Sequence, residues 1–166
     1  RHNDASQLQR LVSENHNLYA QIIIVTESIF SMDGDKADLC ALVRLKKSYS
    51  NVLLYVDEAH AFGVRGKKGL GCAEEQDCIN DIDFLVGTFG KAIASAGAYI
   101  VCRQLIREYL INKMRTFIFT TALPPINIQW TSWMLERLSA LQHKRAHLLQ
   151  ISEKLKVALT AKGYNC

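Results

Sequence analysis

Val52-Leu53-Leu54-Tyr55-Val56-Asp57-Glu58-Ala59-His60 is an apolar run that closes on a carboxylate. A run of this kind reads as a strand buried in a parallel sheet, with Asp57 at its carboxyl end. Gly87-Thr88-Phe89-Gly90-Lys91-Ala92 reads as the end of another strand, Ile82 to Val86, followed by a turn that carries a lysine. Ligands of open parallel sheets sit outside the carboxyl ends of the strands, so Asp57, His60, Thr88 and Lys91 are expected to face one crevice.

Ile22-Ile23-Ile24-Val25 is rich in β-branched residues, the pattern of a strand buried on both faces, and Thr26-Glu27-Ser28 closes it. From Ala37 to Tyr49, Leu39, Leu42, Val43 and Leu45 recur at helical spacing, with Arg44, Lys46 and Lys47 turned to solvent. Strand, helix, strand implies right-handed crossovers, hence an α/β fold with a mostly parallel sheet and covering helices. A glycine-rich stretch through Gly63, Gly66, Gly69 and Gly71 separates the second and third strands. Gly97 to Cys102 follows Lys91 too closely for a full crossover, so it is expected to run antiparallel. Arg103 to Arg115 reads as helix, Pro124-Pro125 interrupts, and one long helical stretch runs from about Asn127 toward Lys162, where Gly163 stops it.

The chain has 166 residues, 49% hydrophobic and 22% charged, enough for one domain with a real core. Its net charge is +4, and no dense basic run with interleaved aromatics points to nucleic acid. Five cysteines, Cys40, Cys72, Cys78, Cys102 and Cys166, lack the spacing of a zinc site or disulfide framework. No metal is expected. No apolar run approaches membrane-spanning length and the amino terminus is polar, so the reading is a soluble cytoplasmic protein.

Lys91 is the sharpest chemical feature. Burying an ammonium is costly unless a carboxylate pairs with it or its pKa falls, and the second outcome makes lysine a nucleophile toward carbonyls. A lysine Schiff base with a carboxylate for the pyridinium nitrogen is the pair that a pyridoxal phosphate enzyme requires. Each residue also has a plainer role: Lys91 following a turn into water, Asp57 capping the next turn, and His60 satisfied at the sheet edge. Ser31 either donates to a ligand or shapes the turn at Asp33-Gly34, and Thr120 and Thr121 either reach a phosphate or are ordinary loop residues. Asp57-Glu58-Ala59-His60 also resembles the acidic motif of a helicase-type ATPase. That reading needs a phosphate loop, and neither Gly66-Lys67 nor Gly90-Lys91 sits in a Gly-x-x-x-x-Gly-Lys-Ser/Thr arrangement.

With these residues assembled, the chain resembles the α-oxoamine synthases, pyridoxal phosphate enzymes of aminotransferase fold type I that join an amino acid to an acyl-CoA with loss of carbon dioxide. The resemblance runs from His2-Asn3-Asp4 through Glu27-Ser28-Ile29-Phe30-Ser31-Met32-Asp33-Gly34-Asp35, Asp57-Glu58-Ala59-His60 and Thr88-Phe89-Gly90-Lys91 to Phe119-Thr120-Thr121-Ala122-Leu123-Pro124-Pro125. It implies that Lys91 holds pyridoxal 5'-phosphate as a Schiff base and carries a proton, and that Asp57 pairs with the ring nitrogen. His60 and Ser31 would contact the phenolic oxygen side, and Thr88 the phosphate. Thr120 or Thr121 would reach the phosphate of a neighbouring subunit, since the family's sites lie at a homodimer interface. Ala94-Ser95-Ala96-Gly97-Ala98 is most similar to the biotin-synthesis branch, with the glycine C-acetyltransferase branch next.

The same resemblance implies a fragment: residues 1–162 as part of the large cofactor-binding domain and 163–166 as the start of a truncated small domain. The family's amino-terminal phosphate loop, ring-stacking residue and carboxylate-binding arginine have no counterpart here. Rival classes are the nucleotide-dependent ATPase and a catalytically silent interaction module that keeps the fold.

Overall fold

Val52, Leu54 and Val56 alternate with Leu53, Tyr55 and Asp57, and the first set is at most 2% exposed while the second is half-buried. That alternation makes β2 (Val52–Asp57) the middle of the hydrophobic core. In the computed structural model, which describes residues 1–164, it pairs in parallel with β1 (Ile22–Glu27) on one side and β3 (Phe84–Thr88) on the other. β4 (Ala98–Cys102) adds antiparallel to β3, giving the order β1-β2-β3-β4.

This is the predicted α/β sheet with its antiparallel addition, and the third strand starts two residues later than the sequence suggests. Ile82 and Asp83 precede it because Asp83 is occupied otherwise: its carboxylate accepts the Leu54 N–H at 2.8 Å and pairs with Lys46 at 2.7 Å. β1 departs from expectation. It is an edge strand, and Ile23 and Val25 are 52% and 68% exposed, whereas Ile24 faces the core. Four apolar residues in a row therefore mark a strand without both of its faces being buried.

Helix α2 (Leu39–Lys47) covers the core face through Leu39, Leu42 and Val43, and Asp38 caps it by accepting the Ala41 N–H at 2.8 Å. A helix that the sequence reading did not find, α1 (Ala5–Asn15), is capped in the same way by Asp4 and buries Val12 in the same core. The short α3 (Cys72–Glu75) follows the glycine-rich stretch. Beyond β4 come α4 (Gln104–Lys113), the one-turn α5 (Arg115–Ile118), α6 (Pro125–Arg137) and α7 (Gln142–Ala161).

The long carboxyl-terminal helix is thus two helices, broken at residues 138–141. Leu138 turns into a second small core with Phe62 and Ile93, and its carbonyl accepts from Arg145 Nη1 at 2.6 Å. The other terminal nitrogen of the buried Arg145 donates to the Lys67 carbonyl at 2.6 Å, so α7 is tied to the glycine-rich stretch. Gly163 takes the left-handed conformation (φ +85°) just past α7, as the sequence suggests; Asn165 and Cys166, within the predicted start of a second domain, lie outside the described residues. No helix among the described residues is long and apolar enough to cross a membrane. Cys40, Cys72, Cys78 and Cys102 are free thiols.

Candidate active site

Asp57 and Thr88 are the last residues of the adjacent parallel strands β2 and β3, so the segments that leave them start from the same edge of the sheet. After Asp57 the chain turns at once. Asp57 Oδ1 accepts the Ala59 N–H at 2.7 Å, and the Glu58 carbonyl accepts the N–H groups of Ala61 and Phe62. His60 is held on that turn, half-buried.

After Thr88 a second turn forms. The Thr88 hydroxyl accepts the Gly90 N–H at 3.0 Å and donates to the Gly97 carbonyl at 3.2 Å, and the Phe89 and Ser95 backbones close the loop around Lys91. Gly63 lets the two turns meet: a Cβ there would lie 2.8 Å from Ala92 Cβ, and its φ of +83° suits glycine. The result is that Lys91 Nζ lies 3.0 Å from His60 Nε2. A lysine ammonium has no acceptor, so in that state the imidazole accepts at Nε2 and carries its proton on Nδ1.

The underside of the Lys91 turn is aromatic. Tyr99 pairs with Gly87 across the β3–β4 ladder, and a Cβ on Gly87 would sit 2.5 Å from the tyrosine oxygen, so only glycine lets the ring lie there. Tyr99 packs on Phe62 and Phe89 at centroid separations of 4.9 and 5.4 Å. Burial pushes its phenol well above the usual range, so it stays neutral. Helix α6 closes the far side: Trp130 donates to the Ile93 carbonyl at 3.0 Å and the Thr131 hydroxyl to Ser95 Oγ at 2.8 Å.

Of the residues singled out in the sequence, His60 and Lys91 are in contact, Asp57 begins the His60 turn and Thr88 begins the Lys91 turn. Ser31, Thr120 and Thr121 are exposed and make no hydrogen bond to these four. Ser31 follows β1, with its backbone N–H on Glu27 Oε2 at 3.2 Å. The Thr120–Pro124 stretch passes near the Lys91 turn, since Leu123 Cδ1 would lie 2.8 Å from a Cβ on Gly97. Neither glycine-lysine pair starts a helix, as a phosphate loop would: both lie in turns.

Two residues of this edge escaped the sequence reading. Glu58 is completely buried, and Ser28 donates to its Oε2 at 2.6 Å. Only their positions just past the ends of β2 and β1 hinted at such a role.

A model of the aminotransferase class I and II family matches residues 1–166. The chain belongs to this family. Within it, the chain is 58% identical over 161 residues to the 8-amino-7-oxononanoate synthase of Haemophilus ducreyi, covering 95% of this chain and 42% of that protein. The serine palmitoyltransferase of Sphingomonas wittichii has the same fold, with a TM-score of 0.91 at 34% identity over 99% of this chain and 41% of that one. A further serine palmitoyltransferase structure, described as holding a pyridoxal phosphate internal aldimine, superposes with a TM-score of 0.90 at 31% identity, again over 99% and 41% of the two chains. The chain therefore spans about two-fifths of the length of the family members it matches.

Proposed function

We propose that these residues form part of the large domain of a pyridoxal 5'-phosphate-dependent enzyme that condenses an amino acid with an acyl-CoA and releases carbon dioxide, as an 8-amino-7-oxononanoate synthase of biotin synthesis. The observation that carries the reading is the Lys91–His60 contact at the carboxyl ends of β2 and β3, with Asp57 closing β2 beside it. The 58% identity to an 8-amino-7-oxononanoate synthase supports the choice of branch.

The donor set fits the cofactor chemically. Lys91 offers a primary amine to its aldehyde, Asp57 a carboxylate to its ring N–H, and His60 an imidazole beside the amine. Thr88, Ser31 and Thr120 or Thr121 offer hydroxyls to its oxygens. When bound, the pyridinium ring withdraws electrons from the α-carbon of an attached amino acid, which is the chemistry a decarboxylative condensation needs.

The protein's part is to bind, orient and move protons. The Asp57 carboxylate keeps the ring nitrogen protonated. The Lys91 amine returns a proton to the α-carbon, and His60 holds that amine in line. Residues 1–162 would belong to the cofactor-binding domain, with a smaller domain beginning at residue 163. Thr120 and Thr121 would serve the site of a second subunit in a homodimer, and exposed Phe119, Trp130 and Trp133 suit a face covered in the assembly.

The test is borohydride reduction of the full natural chain after incubation with pyridoxal 5'-phosphate, followed by peptide mass mapping. A pyridoxyl mass on the peptide containing Lys91 is expected, and release of free thiol from acyl-CoA would then identify the amino acid and acyl group. An unmodified Lys91 in folded protein overturns the enzyme reading in favour of a silent module that keeps the fold.

A further inference from the structure

Glu58 is buried without a cation. It follows Asp57 directly, is 0% exposed, and forms no ion pair with a lysine or arginine among the described residues. Instead three neutral donors converge on it. Oε2 accepts the Ser28 hydroxyl at 2.6 Å and the Cys72 N–H at 3.0 Å, and Oε1 accepts the Ala73 N–H at 2.7 Å.

Its backbone is equally engaged. The N–H donates to the Val86 carbonyl at 2.7 Å, and the carbonyl accepts Ala61 at 2.9 Å and Phe62 at 2.7 Å. Ser28, which holds the side chain, also donates its own N–H to the Asp57 carbonyl at 2.9 Å. One residue therefore joins the end of β1, the end of β3, the start of α3 and the turn that carries His60.

A cap for α3 does not by itself call for this arrangement. A serine or aspartate cap at position 71 would ordinarily take the Ala73 N–H locally. The chain has Gly71 there, at φ +106°, and a Cβ on it would lie 2.4 Å from Glu58 Oε2. Space has been cleared so that the residue between Asp57 and the His60 turn makes the bonds instead.

We propose that Glu58 is a positioning residue of the site: anchored by Ser28, Cys72 and Ala73, it holds the Asp57 carboxylate and the His60 ring where they face Lys91 and the cofactor. The inference rests on the pyridoxal phosphate reading above. Asp57 and His60 are the groups that touch the ring and the amine, and Glu58 acts through them by fixing the backbone on either side.

The test compares Glu58→Gln and Ser28→Ala with the natural protein, all as the full natural chain. Glutamine keeps the shape but turns an amide NH2 toward a backbone N–H, leaving a buried donor unmet; Ser28→Ala removes one hydrogen bond. Two readouts are made with pyridoxal 5'-phosphate: its dissociation constant by absorption, and the pH at which the absorption band of the loaded protein titrates. Urea unfolding of the cofactor-free proteins records the fold.

Glu58→Gln is expected to weaken cofactor binding about tenfold, the worth of one hydrogen bond to a charged group, and to move the titration midpoint; Ser28→Ala does the same to a smaller degree. A residue that only capped α3 would change the urea midpoint and leave the absorption titration in place. Folded variants with natural binding and an unmoved midpoint overturn the inference while the cofactor reading stands. Failure of the natural protein to load Lys91 overturns both, and if Glu58→Gln does not fold, Ser28→Ala decides by the same two readouts.

Discussion

Lys91 Nζ and His60 Nε2, 31 residues apart in the chain, lie 3.0 Å apart because two turns leaving adjacent parallel strands are pressed together at Gly63. Each turn is closed by its own hydrogen bonds, Asp57 to Ala59 in one and Thr88 to Gly90 in the other. The contact therefore costs little to form once the sheet exists, and its loss should affect chemistry more than stability.

His60→Ala accordingly leaves the urea midpoint nearly unchanged, since the ring is half-exposed. It reduces the yield of pyridoxyl-modified Lys91 about tenfold, as expected when the one hydrogen bond that orients the amine is lost. Mass mapping after borohydride reduction measures the yield, and an undiminished yield would show that the imidazole does not orient the amine.

Gly71→Ala and Gly34→Ala both place a Cβ at positive φ, +106° and +70°. At Gly34 nothing lies within 4 Å, so the cost is backbone strain alone, about 1 kcal/mol. At Gly71 the new atom meets the buried Glu58 carboxylate, so a loss of about 3 kcal/mol or more is expected. Urea denaturation of the two variants side by side separates strain from collision; equal losses would mean that the Glu58 side chain moves freely.

Burial raises the Glu58 carboxyl above the ordinary carboxylate range, more than its three donors lower it. A raised folded-state pKa means that the fold disfavours the charged form relative to the unfolded chain. Its contribution to stability is present below the unfolded value and lost as pH rises through the folded value. Glu75, lowered by Arg65, has the opposite sign: its contribution is present above the unfolded value and is lost as pH falls. The difference between the natural protein and Glu58→Gln isolates the first effect. Relative to the variant, the natural protein should lose stability as pH rises from the ordinary glutamate range through the raised value, measured by urea midpoints over that range; a flat difference would contradict the sign.

Asp83, 3% exposed, accepts the Leu54 N–H at 2.8 Å and pairs with Lys46 at 2.7 Å and Arg103 at 3.3 Å. Asp83→Ala leaves the Lys46 ammonium with only the Asp81 carbonyl and the Leu54 N–H without its acceptor, and is expected to cost about 3 kcal/mol. Arg103→Ala should cost under about 1 kcal/mol, because the arginine is 72% exposed. Chemical denaturation tests the ratio, and comparable losses would mean that the Arg103 pair dominates.

The strands, their parallel direction and the edge that presents Asp57, His60, Thr88 and Lys91 were legible in the sequence because their signals are local. An apolar run, a closing charge and a crossover helix lie within a few tens of residues of one another. Helix α1 was missed since Leu8, Leu11 and Val12 are a sparse apolar set among polar neighbours, although its cap, Asp4, is visible. The break at residues 138–141 was missed because local helical preference runs on through it. Only the small core of Phe62, Ile93 and Leu138, with Arg145 on the Leu138 carbonyl, ends α6 there.

The strands of the sheet, with an amine, an imidazole and a carboxylate at one end of it, follow from adjacent residues alone, since side-chain period and strand direction are local properties. Tertiary structure alone decided that β1 is an edge strand, that Lys91 meets His60, and that Glu58 is buried among Ser28, Cys72 and Ala73. Each of these depends on which distant segment arrives beside a residue, and the burial, hydrogen bonding and charge cost of that residue exist only after the segment is in place.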